Sequence, residues 1–333
     1  MGISHSQHLA FTPAWWLRHR HLQTIFPNLT RRRMKVDTHH QRLELPDGDF
    51  VDLNWTNQHK GRGSPIVIVL HGLGGSIESK YVQSILRETQ TNNWRGLLMH
   101  FRGASASINR LPRSYHAGDI DDIYYLISKL HLEEPQCAIF VVGYSIGGSV
   151  LLNLLGRKKN LPIKAAIAVS VPYNLHQAAI NLDRGFSRIY QTYILRSLKE
   201  KTISKFSGTK VPFDVKNISR LKNFREFDDT VTAPLHGFAG VDDYYQRCSA
   251  KQYLTRIDIP TLLIHASDDP FMSPQCAPTQ LDVSEKITLE VYKRGGHVGF
   301  ISGRYPWRPI YWLDKRIPVF IRQQLEMRAR NIN

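Results

Sequence analysis

VVGYSIGGSV, residues 141–150, sets Ser145 between Gly143 and Gly147 at the end of an apolar run. A strand that turns sharply into a helix holds such a serine in strained backbone geometry. Glycines two positions to either side then relieve the crowding between strand and helix. Gly-x-Ser-x-Gly is a short pattern, and a glycine-rich turn without chemistry satisfies it equally well. Its surroundings decide: CAIFVVGY before it reads as a buried strand and IGGSVLLNLLGRKK after it as a helix.

Short β-branched runs alternate with helical patterns on both sides of that turn, which predicts βαβ units and a mostly parallel sheet. PIVIVLHG (65–72) is apolar at nearly every position, as a central strand covered on both faces must be. GLLMHF (96–101) and IKAAIAVSVP (163–172) are further strands. ESKYVQSILRETQ (78–90) and DIDDIYYLISKL (119–130) are helices, the second opened by acids that suit its N-terminal dipole. QRLELPDGDFVDLNW (41–55) alternates around Asp47-Gly48-Asp49, a hairpin signal that adds antiparallel strands at one edge. Strand signals return at PTLLIHASDD (260–269) and ITLEVYKRGGH (287–297), before an amphipathic ending, YWLDKRIPVFIRQQLEMRAR. The fold class expected is α/β, a mostly parallel central sheet flanked by helices. Its divisions are a basic and aromatic arm (1–42), a first core part (43–172), a helical cap insertion (173–250) and a second core part (251–333).

A serine hydroxyl is a poor nucleophile near neutral pH unless an oriented base takes its proton. The chain order for this architecture is serine, acid, histidine. Asp269 follows the strand TLLIHA, and His297 follows the last strand in RGGHVGF; both fall at strand C-terminal ends, where an open α/β sheet places its site. Asp268 competes as the acid, and Asp269 is preferred because it lies three residues past the small Ala266. Taken singly, either aspartate reads as a turn cap and His297 as a surface histidine beside a flexible Gly-Gly; taken in order with Ser145, they read as a triad. HGLGGS (71–76) follows the central strand as an oxyanion loop would, which nominates the backbone N–H groups of Leu73 and Ile146. A phosphate-binding loop is the alternative, but the Lys-Ser/Thr of a P-loop and the G-x-G-x-x-G spacing are both missing. His71 is expected to prop the loop by hydrogen bonds. This chemistry needs no metal and no organic cofactor.

HLQTIFPNLTRRR (21–33), LELPDGDFVDLNW (43–55), HGLGGS, HFRGASASINR (100–110), GYSIGG (143–148), REFDDTVTAPLHGF (225–238), IHASDDPFMSP (264–274) and GGHVGF (295–300) together carry a family likeness. Over nearly its whole length the chain resembles the YheT-like branch of the α/β-hydrolase superfamily, related to the eukaryotic ABHD1/ABHD3-type lipid esterases. The resemblance implies an α/β-hydrolase fold and a serine esterase with a helical lid, acting on short- or medium-chain acyl esters. Ser145 would be its nucleophile, Asp269 its acid and His297 its base.

At 333 residues and 42% hydrophobic, the chain can bury a large core. Its formal charge of +16 is uneven. Residues 1–42 hold seven basic and one acidic side chain, 173–250 twelve and eight, and 303–333 seven and two, whereas the core stretches are close to neutral. The basic ends would favour transient contact with an anionic membrane surface. The arm WWLRHRHLQTIFPNLTRRR is expected to pack Trp15, Trp16, Leu22, Ile25 and Phe26 on the domain and leave its arginines solvated. It forms no repeated or helical surface for reading nucleic acid, which is not an expected partner. Cys137, Cys248 and Cys276, odd in number and widely spaced, fit a reducing compartment. No long apolar core follows the N-terminus, so a cytoplasmic location is expected. Met1-Gly2 with Ser6 has the spacing of an acylation signal, read as chance.

Three further features have plainer readings. His116 and Asp121 match an H-x4-D spacing known from acyltransferases, but at the opening of a predicted helix a capping role is preferred. Arg102 is read as a salt-bridge residue that anchors loops around the site. Asp228 and Asp229 follow no buried strand and are set aside as triad acids. The sequence therefore points to a serine hydrolase acting on a small-molecule acyl ester. An acyltransferase with the same site, and a non-catalytic basic binding protein on a hydrolase frame, are the alternatives, and the oligomeric state is left open.

Overall fold

The computed structural model describes residues 9–330; Met1, Gly2 and Ser6 lie outside them. Eight strands form one sheet in the spatial order β1 (His39–Glu44), β2 (Phe50–Thr56), β4 (Arg95–Met99), β3 (Ile66–Leu70), β5 (Ile139–Tyr144), β6 (Ala165–Val169), β7 (Thr261–Ala266) and β8 (Ile287–Tyr292). From β4 to β8 all neighbours are parallel, while β2 runs antiparallel to both β1 and β4. The chain leaves β3 toward β4 and later returns to the other side of β3 as β5. The strand order reverses there, opening a crevice at the C-terminal ends of β3 and β5.

α1 (Arg20–Thr30) precedes the sheet, and α2 (Lys80–Thr91), α3 (Asp121–Glu133) and α4 (Ile146–Arg157) lie among its parallel strands. Between β6 and β7 the chain forms only helices and turns. These are α5 (Leu175–Leu182), α6 (Ser187–Phe206), the short α7 (Phe224–Phe227) and α8 (Ala233–Leu235), and α9 (Val241–Cys248). A π-helical turn, Asp228–Thr232, joins α7 to α8. After β8, a separate hairpin of β9 (Ile301–Tyr305) and β10 (Arg308–Tyr311) leads into α10 (Leu313–Arg330). That hairpin has no counterpart in the sequence reading, since Pro306 and Pro309 interrupt its strand pattern.

The two-residue period of β3 distributes its side chains between two cores. Ile66, Ile68 and Leu70 join the layer of α3 and α4 with Ile123, Leu126 and Leu151, whereas Val67 and Val69 join that of α2 and α10 with Ile85, Leu86 and Phe320. All five strand residues are buried, which is why PIVIVLHG shows no alternation.

Arg102, just past β4, ties three elements together. Its Nε and Nη2 donate to Asp122 at 2.7 and 2.6 Å, and its Nη1 donates to Asp47 at 2.7 Å and Asp49 at 3.3 Å. Desolvation opposes the charge but is outweighed by the hydrogen bonds to Asp122 and Asp47, so the guanidinium's pKa is raised. The capping role expected of His116 and Asp121 is not what the structure has: Ile120 is the N-cap of α3 and no side chain caps it. The acids of the first turn act there through the helix dipole, and Asp122 turns to Arg102.

The arm also departs from expectation. Leu22 and Trp15 are exposed, while His21, Gln23 and Thr24 are buried. The loop after β8 explains the exchange, because its buried backbone groups need hydrogen-bonding partners and α1 supplies them. Gln23 Nε2 donates to Leu17 O and Ile301 O, and its Oε1 accepts from Ile301 N. All three cysteines are free and buried. Among the described residues no helix is long and apolar enough to cross a membrane.

Candidate active site

Ser145 directly follows β5 and is the N-cap of α4, with φ 52° and ψ −120°, a backbone conformation that side-chain-bearing residues avoid. Contacts hold it there: its N–H donates to Val169 O and its carbonyl accepts from Ser149 N. A Cβ on Gly143 would lie 2.6 Å from Gly147 O, and one on Gly147 would lie 2.5 Å from Leu70 O. Both glycines are thus required by the close passage of α4 over β5 and β3.

The imidazole of His297 reaches that turn from the loop after β8. Its Nε2 lies 3.1 Å from Ser145 Oγ and its Nδ1 lies 2.8 Å from Asp269 Oδ2. Asp269, 1% exposed, also accepts from Phe271 N through Oδ1. Asp268 turns away and accepts from Gly296 N at 2.9 Å. The ring of Phe271 stacks on the imidazole, centroids 3.9 Å apart and 5° from parallel. The histidine's backbone is fixed as well, with His297 N–H donating to Thr24 Oγ1 of α1 and Val298 N–H to Ser170 Oγ.

Facing them is the loop after β3. Gly72 N–H donates to the Tyr81 hydroxyl, Gly74 N–H to the Tyr115 hydroxyl and Gly75 N–H to Gly72 O. Leu73 N–H, between them, has no such acceptor. Ile146 N–H opens α4, where the first-turn N–H groups have no partner within the helix. Buried His71 supports the loop: Phe101 N–H donates to its Nε2, so Nδ1 carries the hydrogen and donates to Gly72 O. Burial pushes the pKa of this histidine down to about 3, keeping it neutral.

Residues 65–304 match the alpha/beta hydrolase fold family. The chain is 41% identical over 324 residues to the YheT protein of Escherichia coli, covering 96% of this chain and 95% of that one. This chain belongs to the YheT-like α/β-hydrolases. It is also 24% identical to the phospholipase ABHD3 of Homo sapiens, over 95% of this chain and 79% of the other. A solved esterase of Pyrococcus furiosus, Pf2001, shares the fold with a TM-score of 0.56 at 17% identity, covering 88% of this chain and 93% of that one.

In this YheT-like hydrolase two cavities meet at Ser145. The first, about 140 Å3, is lined by the helices between β6 and β7; Ser145, Ile146, Leu73 and His297 border it, and Leu198, Phe224, Phe227 and Val231 give it an apolar wall. The second, about 320 Å3, opens between α1 and α6 and shares Ser145, Leu73 and His297 with the first.

Asp228 lines the first cavity from the π-helical turn, a bulge geometry frequent at functional sites. Its Oδ2 accepts from the Tyr245 hydroxyl at 2.8 Å and its Oδ1 from Thr232 at 2.6 Å, and burial pushes its pKa up to about 6. Asp229 instead accepts from Val241 N, and neither aspartate meets His297. His116 lines this cavity too, with burial holding its pKa well below the ordinary value. The sequence reading missed Thr24, Phe271, Ser170 and Tyr81. Thr24 and Phe271 lie inside stretches that carry the family likeness, which is the signal they offered.

Proposed function

We propose that this protein is a cytoplasmic serine hydrolase that cleaves carboxylic esters of short or medium acyl chain through an acyl-enzyme on Ser145. The observation that carries this reading is the single imidazole placed 3.1 Å from the Ser145 hydroxyl and 2.8 Å from the Asp269 carboxylate. His297 Nε2 takes the hydroxyl proton as Oγ attacks the ester carbonyl, and Asp269 fixes the tautomer and stabilises the imidazolium. Leu73 N–H and Ile146 N–H receive the oxyanion, each such donor being worth roughly a hundred- to a thousandfold in rate. The imidazolium then protonates the leaving alkoxide. In the second half, the same base deprotonates a water that attacks the acyl carbon; the bond to Ser145 Oγ then breaks, the imidazolium returns the proton to that oxygen, and the acid is released.

The cavity under the cap is assigned to the acyl chain. An apolar cavity of about 150 Å3 takes up a six-carbon ring, so the 140 Å3 here is of a size that supports a short or medium acyl chain. The second opening is assigned to the alcohol. Relatives named as phospholipase and monoacylglycerol lipase support the ester chemistry. Transient contact with an anionic membrane belongs to the same reading.

Labelling with a fluorophosphonate tests it. Covalent modification of the wild type, none of Ser145→Ala, and at least a ~10,000-fold loss of ester turnover in that variant are expected. An unlabelled wild type, or a Ser145→Ala variant that keeps its turnover, would overturn the proposal in favour of a non-catalytic binding protein. A transfer product dominating at low alcohol concentration would replace hydrolysis by acyl transfer.

A further inference from the structure

Beside the second opening, two helices carry their polarity inside out. α1 buries Gln23 and Thr24 while presenting Leu22 and Leu29 to solvent, 52% and 75% exposed. α6 opens in the same manner: Ser187 and Gln191 are buried, whereas Phe186, Ile189 and Tyr193 share one helix face and are 48%, 57% and 80% exposed. A helix facing water ordinarily turns its apolar stripe toward the core.

The inward polar groups have partners that account for them. Gln23 and Thr24 serve the loop after β8, Ser187 donates to Pro270 O, and Gln191 bonds Asp183 and accepts from Phe224 N. Of the outward apolar groups, Phe186 meets the rings of His21 and Tyr190, whereas Leu22, Leu29, Ile189 and Tyr193 belong to no hydrophobic cluster among the described residues. Nor are the two faces separate patches. The His21 ring packs on Phe186 at 4.4 Å and its Nδ1 lies 3.1 Å from the Tyr190 hydroxyl, while Ile25, Asn28, Tyr193 and Ile194 border the same opening.

Charge identifies what could cover such a face. Arg18, Arg20 and Arg32 lie at or beside the ends of α1, and Arg184 and Arg188 flank the start of α6; all five are exposed and none forms an ion pair among the described residues, while Arg33 has Glu78 at 3.9 Å. No acidic residue occurs in 9–36 or in 184–199. Exposed apolar side chains on helices whose ends carry unpaired guanidiniums match the boundary of a bilayer with anionic headgroups, where the former reach the acyl region and the latter stay among the phosphates.

We propose that the outer faces of α1 and the start of α6 dock on an anionic phospholipid surface, with the second opening turned toward the lipid so that an ester passes to Ser145 without crossing bulk water. The purpose of this docking rests on the ester-hydrolase reading; the docking itself does not.

Sedimentation with vesicles of mixed phosphatidylglycerol and phosphatidylcholine, against phosphatidylcholine alone, tests it. The wild type is expected to partition onto the anionic vesicles at least about tenfold better, less so as salt is raised. Leu22→Ser/Leu29→Ser/Ile189→Ser and, separately, Arg18→Glu/Arg188→Glu should each lower that partitioning about tenfold or more. The leucine variant should keep wild-type turnover of a soluble short-chain ester, which shows that it is folded. Leu132→Ser/Leu281→Ser, which alters two other exposed leucines outside α1 and α6, should bind as the wild type does. Ser145→Ala should bind unchanged, so a failure of the catalytic reading is read apart from a failure of docking. A wild type left in the supernatant with both vesicles, equal binding to both, or a leucine variant that binds as well as the wild type would overturn the inference. So would a wild-type dimer that this variant splits, which would give the face to a second copy of the chain.

Discussion

Adjacent in the chain, Asp268 and Asp269 face different partners. Asp269 meets the imidazole, while Asp268 accepts from Gly296 and so shapes the loop that carries it. Asp269→Asn should lower kcat about 10,000-fold with little change in KM, as expected when the histidine loses its tautomer-fixing partner. Asp268→Asn keeps an acceptor for Gly296 N–H and should cost less than about tenfold; steady-state kinetics of the two variants on one ester checks both. Thr24 acts on the same imidazole through its backbone. Thr24→Val removes the acceptor for His297 N–H and leaves that buried donor unpaired, a cost of about 1–3 kcal/mol. A fall in kcat of about tenfold at similar KM is the expected reading of a displaced base.

At the scale of elements, the turn between β5 and α4 and the cap make separate predictions. Gly147→Ala places a methyl 2.5 Å from Leu70 O, where backbone must give way. Overpacking of this kind costs about 1–3 kcal/mol, measurable as a shift in the urea midpoint. In the cap, the Asp228 carboxyl titrates at about 6 folded against an ordinary 3.8. Between those values the folded state keeps a proton that the unfolded chain has released, so stability falls as pH rises from about 4 to about 6, by about 3 kcal/mol in all, and levels off above. Asp228→Asn, which can accept from Tyr245 and donate to Thr232, should remove that slope in denaturation midpoints taken across the interval.

Legibility from sequence follows the range of each interaction. β3 and β5 are uninterrupted apolar runs because both sheet faces are covered, and Asp269 and His297 are readable because each follows a strand by a few residues. The inner face of α1 was misread, since Gln23 and Thr24 pair with backbone atoms more than 270 residues away and no local pattern announces them. Likewise, the π-helical turn that aims Asp228 into the cavity has no residue signature of its own.

Seen as a whole molecule, the segment before the sheet is part of the body rather than an appendage. Phe11 packs edge-on against Phe300 and Tyr292 in the layer of α10, Ala14 N–H donates to Ile301 O, and Gln23 holds both backbone groups of Ile301. Gln23→Leu would leave Leu17 O and Ile301 N–H unpaired, while Ile301 O keeps Ala14 N–H, and should destabilise the fold by about 3 kcal/mol, visible in a denaturation curve as a lower midpoint at unchanged slope.

The bond from His297 to Thr24 joins positions 273 residues apart. At roughly 5–20 residues per second on the ribosome, Thr24 is made about a quarter of a minute to a minute before the histidine it will hold. In the later part of that interval, once Ser145 and the Val169 carbonyl that accepts from its N–H have been made, the serine turn would await the imidazole that the proposed mechanism gives it. On the proposed mechanism, a product that stops before residue 297 would be chemically silent.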